Sequence, residues 1–155
     1  SALVIPGGES TVIQKLAVNY GLFEPIKKLI ADSFPVFGTC AGLIMLADEI
    51  IDGIEGQAGF GGLPVAVRRN AFGNQLDSFE TDLEFSGIDG DPIHAAFIRA
   101  PIVESVGDGV KVLSKLSDGR IVAVRSGNLL GISFHPEVTG ETRVHEYFLK
   151  MVQSA

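Results

Sequence analysis

"FPVFGTCAGLIMLADEI", residues 34–50, is the stretch that decides the fold of this chain. It begins with an apolar run at 35–38 that is typical of a buried strand and turns at a glycine-flanked cysteine. It then continues as an apolar segment that we predict to be helical over 41–50. Residues 2–10, "ALVIPGGES", have the same order of strand, glycine turn and helix, and Ser10 can cap that helix. This alternation predicts an α/β fold with a parallel sheet.

The rest of the chain is predicted to add a helix over 23–32, several strands and a closing helix over 142–153. The predicted strands are separated by Gly, Asp and Pro turns and read "LPVAVRR", "DLEFSG", "HAAFIRAP", "VKVLSKL", "GRIVAVRSG" and "LLGISFHPE". A glycine-rich stretch at 53–62 is either a flexible connector or a surface loop, and a surface loop within one domain fits the length better. We therefore predict a single domain over 1–155.

Composition narrows the classes of function. The formal net charge of −7 argues against nonspecific nucleic-acid binding, which needs a basic face. No apolar run has the length of a membrane span, and the single cysteine, which cannot form an internal disulfide, favours a reducing cytoplasm. The chain starts inside a predicted core strand and without Met, so we expect an N-terminal piece to precede it.

The single cysteine, Cys40, lies in the pattern G-x-C-x-G between a strand and a helix. This pattern resembles a nucleophile elbow, in which glycines allow a tight turn and a close approach of neighbouring chains. A thiol at the start of a helix is favoured as thiolate, and the N–H of Ala41 is free to face a developing oxyanion. The alternative is a small buried core residue, which is what a lone cysteine most often is.

A thiol nucleophile needs a base, and the chain has three histidines. His94, without a nearby acid, and His145, in an amphipathic helix, are expected to be surface or packing residues. His135 is followed two residues later by Glu137, and residues i and i+2 of an extended segment point to the same side. Glu137 can then orient the imidazole while its other nitrogen faces Cys40. The alternative is a strand-end turn with a solvated acid.

Both Cys40 and His135 follow predicted strands, and the carboxyl ends of parallel strands meet at one edge of a sheet. The loop "PGGES" at 6–10 belongs to the same edge, where the N–H of Gly7 or Gly8 can supply a second oxyanion donor. A phosphate-binding loop is the competing interpretation. It is weaker because the loop has neither a Walker lysine nor a G-x-G-x-x-G run.

Together these motifs resemble the class I, triad-type glutamine amidotransferases, for which "GTCAG" followed by "HPE" is specific. More narrowly, the chain is similar over its whole length to the glutaminase subunits of pyridoxal 5′-phosphate synthases. The stretches that carry this similarity are "PGGEST", "FGTCAGLIMLA", "RRNAFGNQLDSFE", "FIRAP" and "SFHPE", and the third, at 68–80, is the most discriminating. The resemblance implies a three-layer, flavodoxin-like α/β fold with a mostly parallel central sheet. Family members carry about one further βαβ unit before the first residue of this chain.

The resemblance also implies residue roles. Cys40 would be the nucleophile, His135 the general base and acid, and Glu137 the orienting carboxylate, with the N–H groups of Gly8 and Ala41 as the oxyanion hole. The residues implied to bind or enclose glutamine are Gly8, Glu9, Ser10, Arg69, Ile98 and Arg99. A guanidinium suits the α-carboxylate of an amino acid because it makes a two-pronged contact. Without the resemblance, either arginine would be interpreted as part of a surface ion pair.

The implied reaction is hydrolysis of L-glutamine to glutamate and ammonia through a cysteine thioester, with no cofactor and no metal. The implied partner is a (β/α)₈-barrel synthase subunit that takes the ammonia and that activates the glutaminase when the two dock. Two alternatives remain: another amidotransferase or thiol hydrolase with a different acceptor, and a noncatalytic regulatory subunit. The "RNAFG" block disfavours the first, and the presence of Cys40, His135 and Glu137 disfavours the second.

Overall fold

The computed structural model describes residues 1–53, 57–69 and 78–155. Most of the discriminating "RRNAFGNQLDSFE" block, residues 70–77, lies outside the described residues. The helices are α1 (Ser10–Asn19), α2 (Phe23–Ala31), α3 (Ala41–Leu46) and α4 (Arg143–Ser154). The strands are β1 (Leu3–Ile5), β2 (Val36–Thr39), β3 (Ala47–Ile51), β4 (Leu63–Arg68), β5 (Ser78–Leu83), β6 (Ile93–Ile98), β7 (Ile102–Val106), β8 (Lys111–Lys115), β9 (Ile121–Ser126) and β10 (Leu129–Ile132).

One large sheet runs through the molecule in the order β1-β2-β10-β9-β7-β4-β3, with β8 paired to β9. Pairing is parallel between β1 and β2, between β2 and β10, and between β3 and β4. The strands that follow one another through short turns pair antiparallel, as β9 does with β10 and with β8. Strands β5 and β6 form a separate antiparallel hairpin. The predicted α/β class is confirmed, and the parallel trio β1-β2-β10 ends where the predicted site residues begin.

Consecutive residues of β2 show the layers, because successive side chains of a strand point to opposite faces of the sheet. Val36 belongs to a buried cluster that includes residues of α1, α2 and α3. Phe37 belongs to a second buried cluster that includes residues of α4 and of the β5–β6 hairpin. Helices therefore cover both faces of the sheet, as expected for a three-layer α/β fold.

The segment at 41–50 corrects the predicted helix. Helix α3 ends at Leu46, and residues from Ala47 onward form strand β3, which pairs with β4. The carbonyl oxygen of Met45 accepts the N–H groups of Phe60 and Gly61, at 2.7 and 3.2 Å, instead of an N–H from a further helical turn. Tertiary hydrogen bonds thus end a helix that apolar periodicity would have continued.

Two strand predictions also need correction. The strand expected at 82–87 lies earlier, because β5 ends at Leu83. Strand β7 (Ile102–Val106) was not predicted. It follows Pro101, and only its first two residues are buried, so it lacks the apolar run of a core strand. In the part of the chain that the structure describes, no helix combines the length and the apolar character needed to cross a membrane.

Candidate active site

Cys40 stands at the junction of β2 and α3 with a backbone conformation that is unusual for a residue with a side chain. Its φ is +55° and its ψ is −102°. Conformations of this kind cost free energy and persist only where surrounding contacts enforce them. Here the N–H of Cys40 donates to the carbonyl of Ile132, at the end of β10, over 2.8 Å. The neighbouring strand thus fixes the strained turn that presents the thiol.

The two glycines that flank the cysteine are required by close packing. A Cβ on Gly38 would lie 2.5 Å from the carbonyl oxygen of Gly42, and a Cβ on Gly42 would overlap the carbonyl oxygen of Ile5 in β1. Neither backbone oxygen can rotate away as a side chain would. The close approach expected for a G-x-C-x-G turn is therefore confirmed, and it joins β1, β2 and α3 around the thiol.

The surroundings of the thiol stabilise its neutral form. Cys40 is 7% exposed, and its Sγ lies 4.0 Å from the carbonyl oxygen of Ile98, to which the thiol donates. Burial raises the pKa of the Cys40 thiol to about 11, and the negative charges of Glu137 and Glu9 add to the rise, while the backbone N–H of Ala41 lowers it. The N–H of Ala41 at the helix start favours thiolate as predicted, but desolvation outweighs it, so the thiol is neutral in this structure.

His135 lies three residues beyond the end of β10 and is held at its backbone and at one ring nitrogen. Its backbone N–H donates to the carbonyl of Ala96 over 2.8 Å, and its Nδ1 lies 2.7 Å from Oε1 of Glu137. The predicted contact between His135 and Glu137 is confirmed, although Pro136 and Glu137 lie in a turn and not on extended backbone. The imidazole side chain is 13% exposed and borders the same cavity as Cys40, which leaves Nε2 as its second hydrogen-bonding atom.

The other two histidines lie on the surface. The expectation that His94 has no nearby acid is wrong, since its Nδ1 lies 2.8 Å from Asp82 and its Nε2 lies 2.9 Å from Glu80. Both acids are on β5, across the hairpin from His94, so sequence distance concealed them. His145 is exposed on α4, where its ring meets Phe37 edge to face with centroids 5.5 Å apart.

A cavity of about 400 Å³ brings together nearly all the residues predicted for the site. Glu137 is the exception, because it lies behind His135 and touches the ring instead of lining the cavity. Sequence reasoning missed Ile44, one helical turn after Cys40 and therefore on the same side of α3. The lining consists of Gly8, Glu9, Ser10, Cys40, Ala41, Ile44, Arg69, Ile98, Arg99 and His135.

The charged wall of this cavity consists chiefly of Arg69 and Glu9. The Arg69 side chain is 13% exposed, and its Nη2 donates to Oε1 of Glu9 over 2.9 Å. Its Nε is buried and has no hydrogen-bond partner among the described residues. Arg69 thus forms the ion pair considered as its alternative, with Glu9 more than half exposed, but its own side chain is largely buried beside the cavity. The N–H groups of the Arg69 guanidinium that do not donate to Glu9 are suited to bind an anionic group inside the cavity.

The loop at 6–10 contributes backbone and one buried hydroxyl. Gly8 has φ +143°, a conformation that side chains rarely allow, and no heavy atom lies within 4 Å of its missing Cβ. Ser10 is the first residue of α1 and not its cap, since Glu9 occupies the N-cap position in an extended conformation. The Ser10 hydroxyl instead accepts the side-chain amide of Gln57 over 2.7 Å. Gln57 therefore ties the loop before β4 to the cavity.

Within the described ranges, no group of three or more His, Cys, Asp or Glu side chains is arranged to hold a metal ion. The site therefore consists of a buried thiol, an imidazole paired with a carboxylate, two arginines and the backbone of two strand-to-helix turns. These are the parts of a thiol-dependent acyl-transfer site.

Comparison with known proteins agrees with this architecture. The family model described as the SNO glutamine amidotransferase family matches residues 1–154. A protein of Clavibacter sepedonicus named pyridoxal 5′-phosphate synthase subunit PdxT is 61% identical over 155 residues, which are all of this chain and 74% of that protein. Its namesake from Leifsonia xyli subsp. xyli is 62% identical over 152 residues, or 98% of this chain and 77% of that protein.

Solved structures give the same result. The crystal structure of a glutamine amidotransferase is 48% identical, superposes with a TM-score of 0.90, and covers 98% of this chain and 79% of that chain. A glutamine amidotransferase from Thermotoga maritima, only 13% identical with a TM-score of 0.56, covers 97% of this chain and 69% of that chain and shares the fold alone. The family model matches almost the whole chain, and the chain covers about three quarters of two close relatives. This chain therefore belongs to the SNO glutamine amidotransferase family.

Proposed function

We propose that this chain hydrolyses L-glutamine to L-glutamate and ammonia and supplies the ammonia for synthesis of pyridoxal 5′-phosphate. The observation that carries the proposal is the cavity of about 400 Å³ in which Cys40 and His135 meet, with Glu137 on the far side of the imidazole. Family membership and relatives named as synthase subunits support the same reaction. Nothing observed favours another acceptor or a noncatalytic role.

In the proposed mechanism, Nε2 of His135 takes the proton of the Cys40 thiol as sulfur attacks the side-chain amide carbon of glutamine. This transfer must occur during attack, because a thiol with a pKa of about 11 is protonated near neutral pH. The carbonyl oxygen becomes an oxyanion that the N–H groups of Gly8 and Ala41 stabilise. The imidazolium then protonates the departing nitrogen, ammonia leaves, and a glutamyl thioester remains.

Water completes the cycle. His135 removes a proton from water as the oxygen attacks the thioester carbon, and the proton then returns to the sulfur of Cys40 as glutamate is released. Glu137 holds Nδ1–H throughout and stabilises the imidazolium when it forms. Each step conserves the proton that the triad shares, so the cycle needs no further proton donor or acceptor.

The remaining residues of the cavity are proposed to hold glutamine by its end groups. Arg69 would pair with the α-carboxylate through guanidinium N–H groups that do not donate to Glu9. Glu9, whose carboxylate lies on the same wall, would attract the α-ammonium group. The other contacts are proposed to come from Gly8, Ser10, Ile98 and Arg99.

We further propose that ammonia passes to a (β/α)₈-barrel synthase subunit, on which this chain docks and becomes active. Relatives named as subunits of a synthase support a dedicated partner. Ammonia that reached bulk water near neutral pH would be mostly protonated and would lose its nucleophilicity, so direct transfer would keep it reactive. A single cysteine without a disulfide partner supports the cytoplasm as the place of the reaction.

The test measures glutamate released from glutamine by the chain, alone and with the synthase subunit of a close relative. We expect release that increases strongly when the partner is present. Cys40→Ala and Cys40→Ser should abolish it while binding of the partner is retained. Mass spectrometry of the wild-type complex quenched in acid should show the glutamyl adduct on Cys40. Release by Cys40→Ala at the wild-type rate would disprove the assignment of the nucleophile.

A further inference from the structure

The Cε1 edge of the His135 imidazole faces the position where Gly7 lacks a side chain. A Cβ placed on Gly7 would lie 2.6 Å from Cε1 of His135, 3.4 Å from Nδ1 and 3.6 Å from Nε2. A real Cβ essentially never comes within 3.0 Å of a heavy atom in this way. The ring can occupy its place only because residue 7 has no side chain.

The adjacent glycines of the "PGG" turn have different physical reasons to be glycine. Gly8 has φ +143° and open space where its side chain would be, so its backbone conformation requires glycine. Gly7 does not have a positive φ, so an alanine there would not meet the strain that a positive φ causes. What Gly7 provides is room, because the three heavy atoms nearest to its missing Cβ among the described residues all belong to the His135 ring.

We propose that Gly7 is a positioning residue for the reaction: the Cε1 edge of the His135 imidazole rests against the backbone of residue 7, while Glu137 holds Nδ1. Cε1 lies between the two ring nitrogens, so contact there sets how far the ring can tilt about its Nδ1 hydrogen bond. The tilt determines the position of Nε2 relative to Cys40. The inference rests on the proposed function, in which Nε2 exchanges protons with that thiol.

A methyl group at residue 7 should displace the ring and leave the rest of the site in place. Ordinary contact begins at 3.4 Å, so Cε1 would have to move by about 1 Å, and a displacement of this size costs about 10- to 100-fold in rate. The backbone N–H groups of residues 7 and 8 remain available to the oxyanion. The wall that contains Arg69 and Glu9 is also unchanged. The loss should therefore fall on kcat and not on KM.

The experiment compares Gly7→Ala with the wild-type full chain in complex with the synthase subunit. We expect kcat to fall about 10- to 100-fold, with KM for glutamine within about twofold of wild type. On the chain alone, NMR of ¹³C-labelled histidine should show a shifted titration of His135, identified by the signal that disappears in His135→Asn. A purely structural effect would lower stability without moving that titration.

Gly131→Ala is the matched control, because its Cβ would lie equally close, 2.6 Å, to a side-chain atom, Cδ1 of Leu43 in the core. It should lower stability, with the titration of His135 unchanged and kcat unchanged per folded molecule. A folded Gly7→Ala protein with wild-type kcat and wild-type titration of His135 would overturn the proposal.

If Gly7→Ala does not fold, the nuclear Overhauser effect between Hε1 of His135 and the Hα atoms of Gly7 in the wild type decides. Its presence supports the proposal, and its absence overturns it.

Failure of the proposed function would look different. The wild-type complex would then release no glutamate, yet Gly7→Ala would still shift the titration of His135.

Discussion

At the scale of single residues, the site depends on a thiol that is presented by a strained backbone and surrounded by groups that keep it neutral. Cys40 has φ +55° and is 7% exposed, with Glu9 and Glu137 adding negative potential. A neutral thiol is poorly reactive toward oxidants and adventitious electrophiles. In the proposed mechanism, its reactivity toward glutamine therefore depends on His135, which would remove the proton during attack.

The raised pKa predicts slow alkylation of Cys40 by iodoacetamide near neutral pH. Only thiolate reacts, and its fraction falls tenfold for each pH unit below the pKa, so a pKa moved from 9.0 to about 11 lowers the rate about 100-fold at about pH 8. The rate should keep rising with pH beyond 9.0, where an unfolded peptide of residues 34–46 levels off. A midpoint at or below that of the peptide would contradict the prediction.

The pair formed by His135 and Glu137 predicts unequal effects of two variants. His135→Asn removes the base and should lower kcat by about 10³-fold or more. Glu137→Gln keeps an oxygen that can accept Nδ1–H but removes the charge that stabilises the imidazolium, so we expect a loss of about 10- to 100-fold. Steady-state glutamate release by each complex measures both. Equal losses would show that the carboxylate does more than orient and stabilise the ring.

At the scale of elements, the site is built by two strand-to-helix turns that pack backbone against backbone. Gly42, in α3, faces the carbonyl of Ile5 at the end of β1, and Gly38 faces the carbonyl of Gly42. The contact between α3 and β1 brings Cys40 and the loop at 6–10 to the same cavity. Glycine spacing thus does more than permit a turn, since it sets the distance between two elements.

Gly42→Ala should therefore destabilise the protein even though alanine favours helices. The gain in helix propensity is about 1 kcal/mol, but the added methyl overlaps a backbone oxygen that cannot move unless β1 separates from α3. We expect a net loss of about 2–3 kcal/mol in the free energy of unfolding, measured with urea. Gly131→Ala should cost less, because the atom that it meets is the end of a flexible leucine side chain. A stabilised Gly42→Ala protein would contradict this account.

At the scale of the whole molecule, two buried clusters on opposite faces of one sheet keep the converging strand ends in place. The cluster on the α4 side joins β2 to β6 and β10. Strand β10 leads to His135, and Ala96 of β6 accepts the backbone N–H of His135. Phe37 is fully buried there, with its ring 5.4 Å from that of Phe148. The same strand therefore anchors a helix on one face and presents the nucleophile at its end.

Phe37→Ala should lower the free energy of unfolding by about 3–5 kcal/mol, because it leaves a cavity between the sheet and α4. Phe79→Ala is the control. Phe79 stacks on Phe97 with ring centroids 4.8 Å apart but is only half-buried on the β5–β6 hairpin, so it should cost clearly less. Urea unfolding followed by circular dichroism measures both. Equal costs would mean that the hairpin contributes as much to the core as the central sheet.

The sequence by itself determined the α/β class, the strand-to-helix turn at Cys40 and the pairing of His135 with Glu137. These features rest on local chemistry: apolar periodicity, glycine spacing, and side chains two residues apart, although a turn and not extended backbone brings His135 and Glu137 together. The residues expected to bind glutamine at the cavity were also available from the sequence, but through resemblance to a family and not through spacing. Ile44 alone could have been added from helical periodicity.

Only the tertiary structure decided the features that depend on what lies across space. The helix at 41–50 ends at Leu46 because Phe60 and Gly61 bond to Met45, and the Cys40 thiol stays neutral because the assembled core removes water from it. The different roles of Gly7 and Gly8 were likewise invisible, since one depends on a distant imidazole and the other on its own φ. Desolvation and close approach are sums over residues far apart in the chain, so no local pattern encodes them.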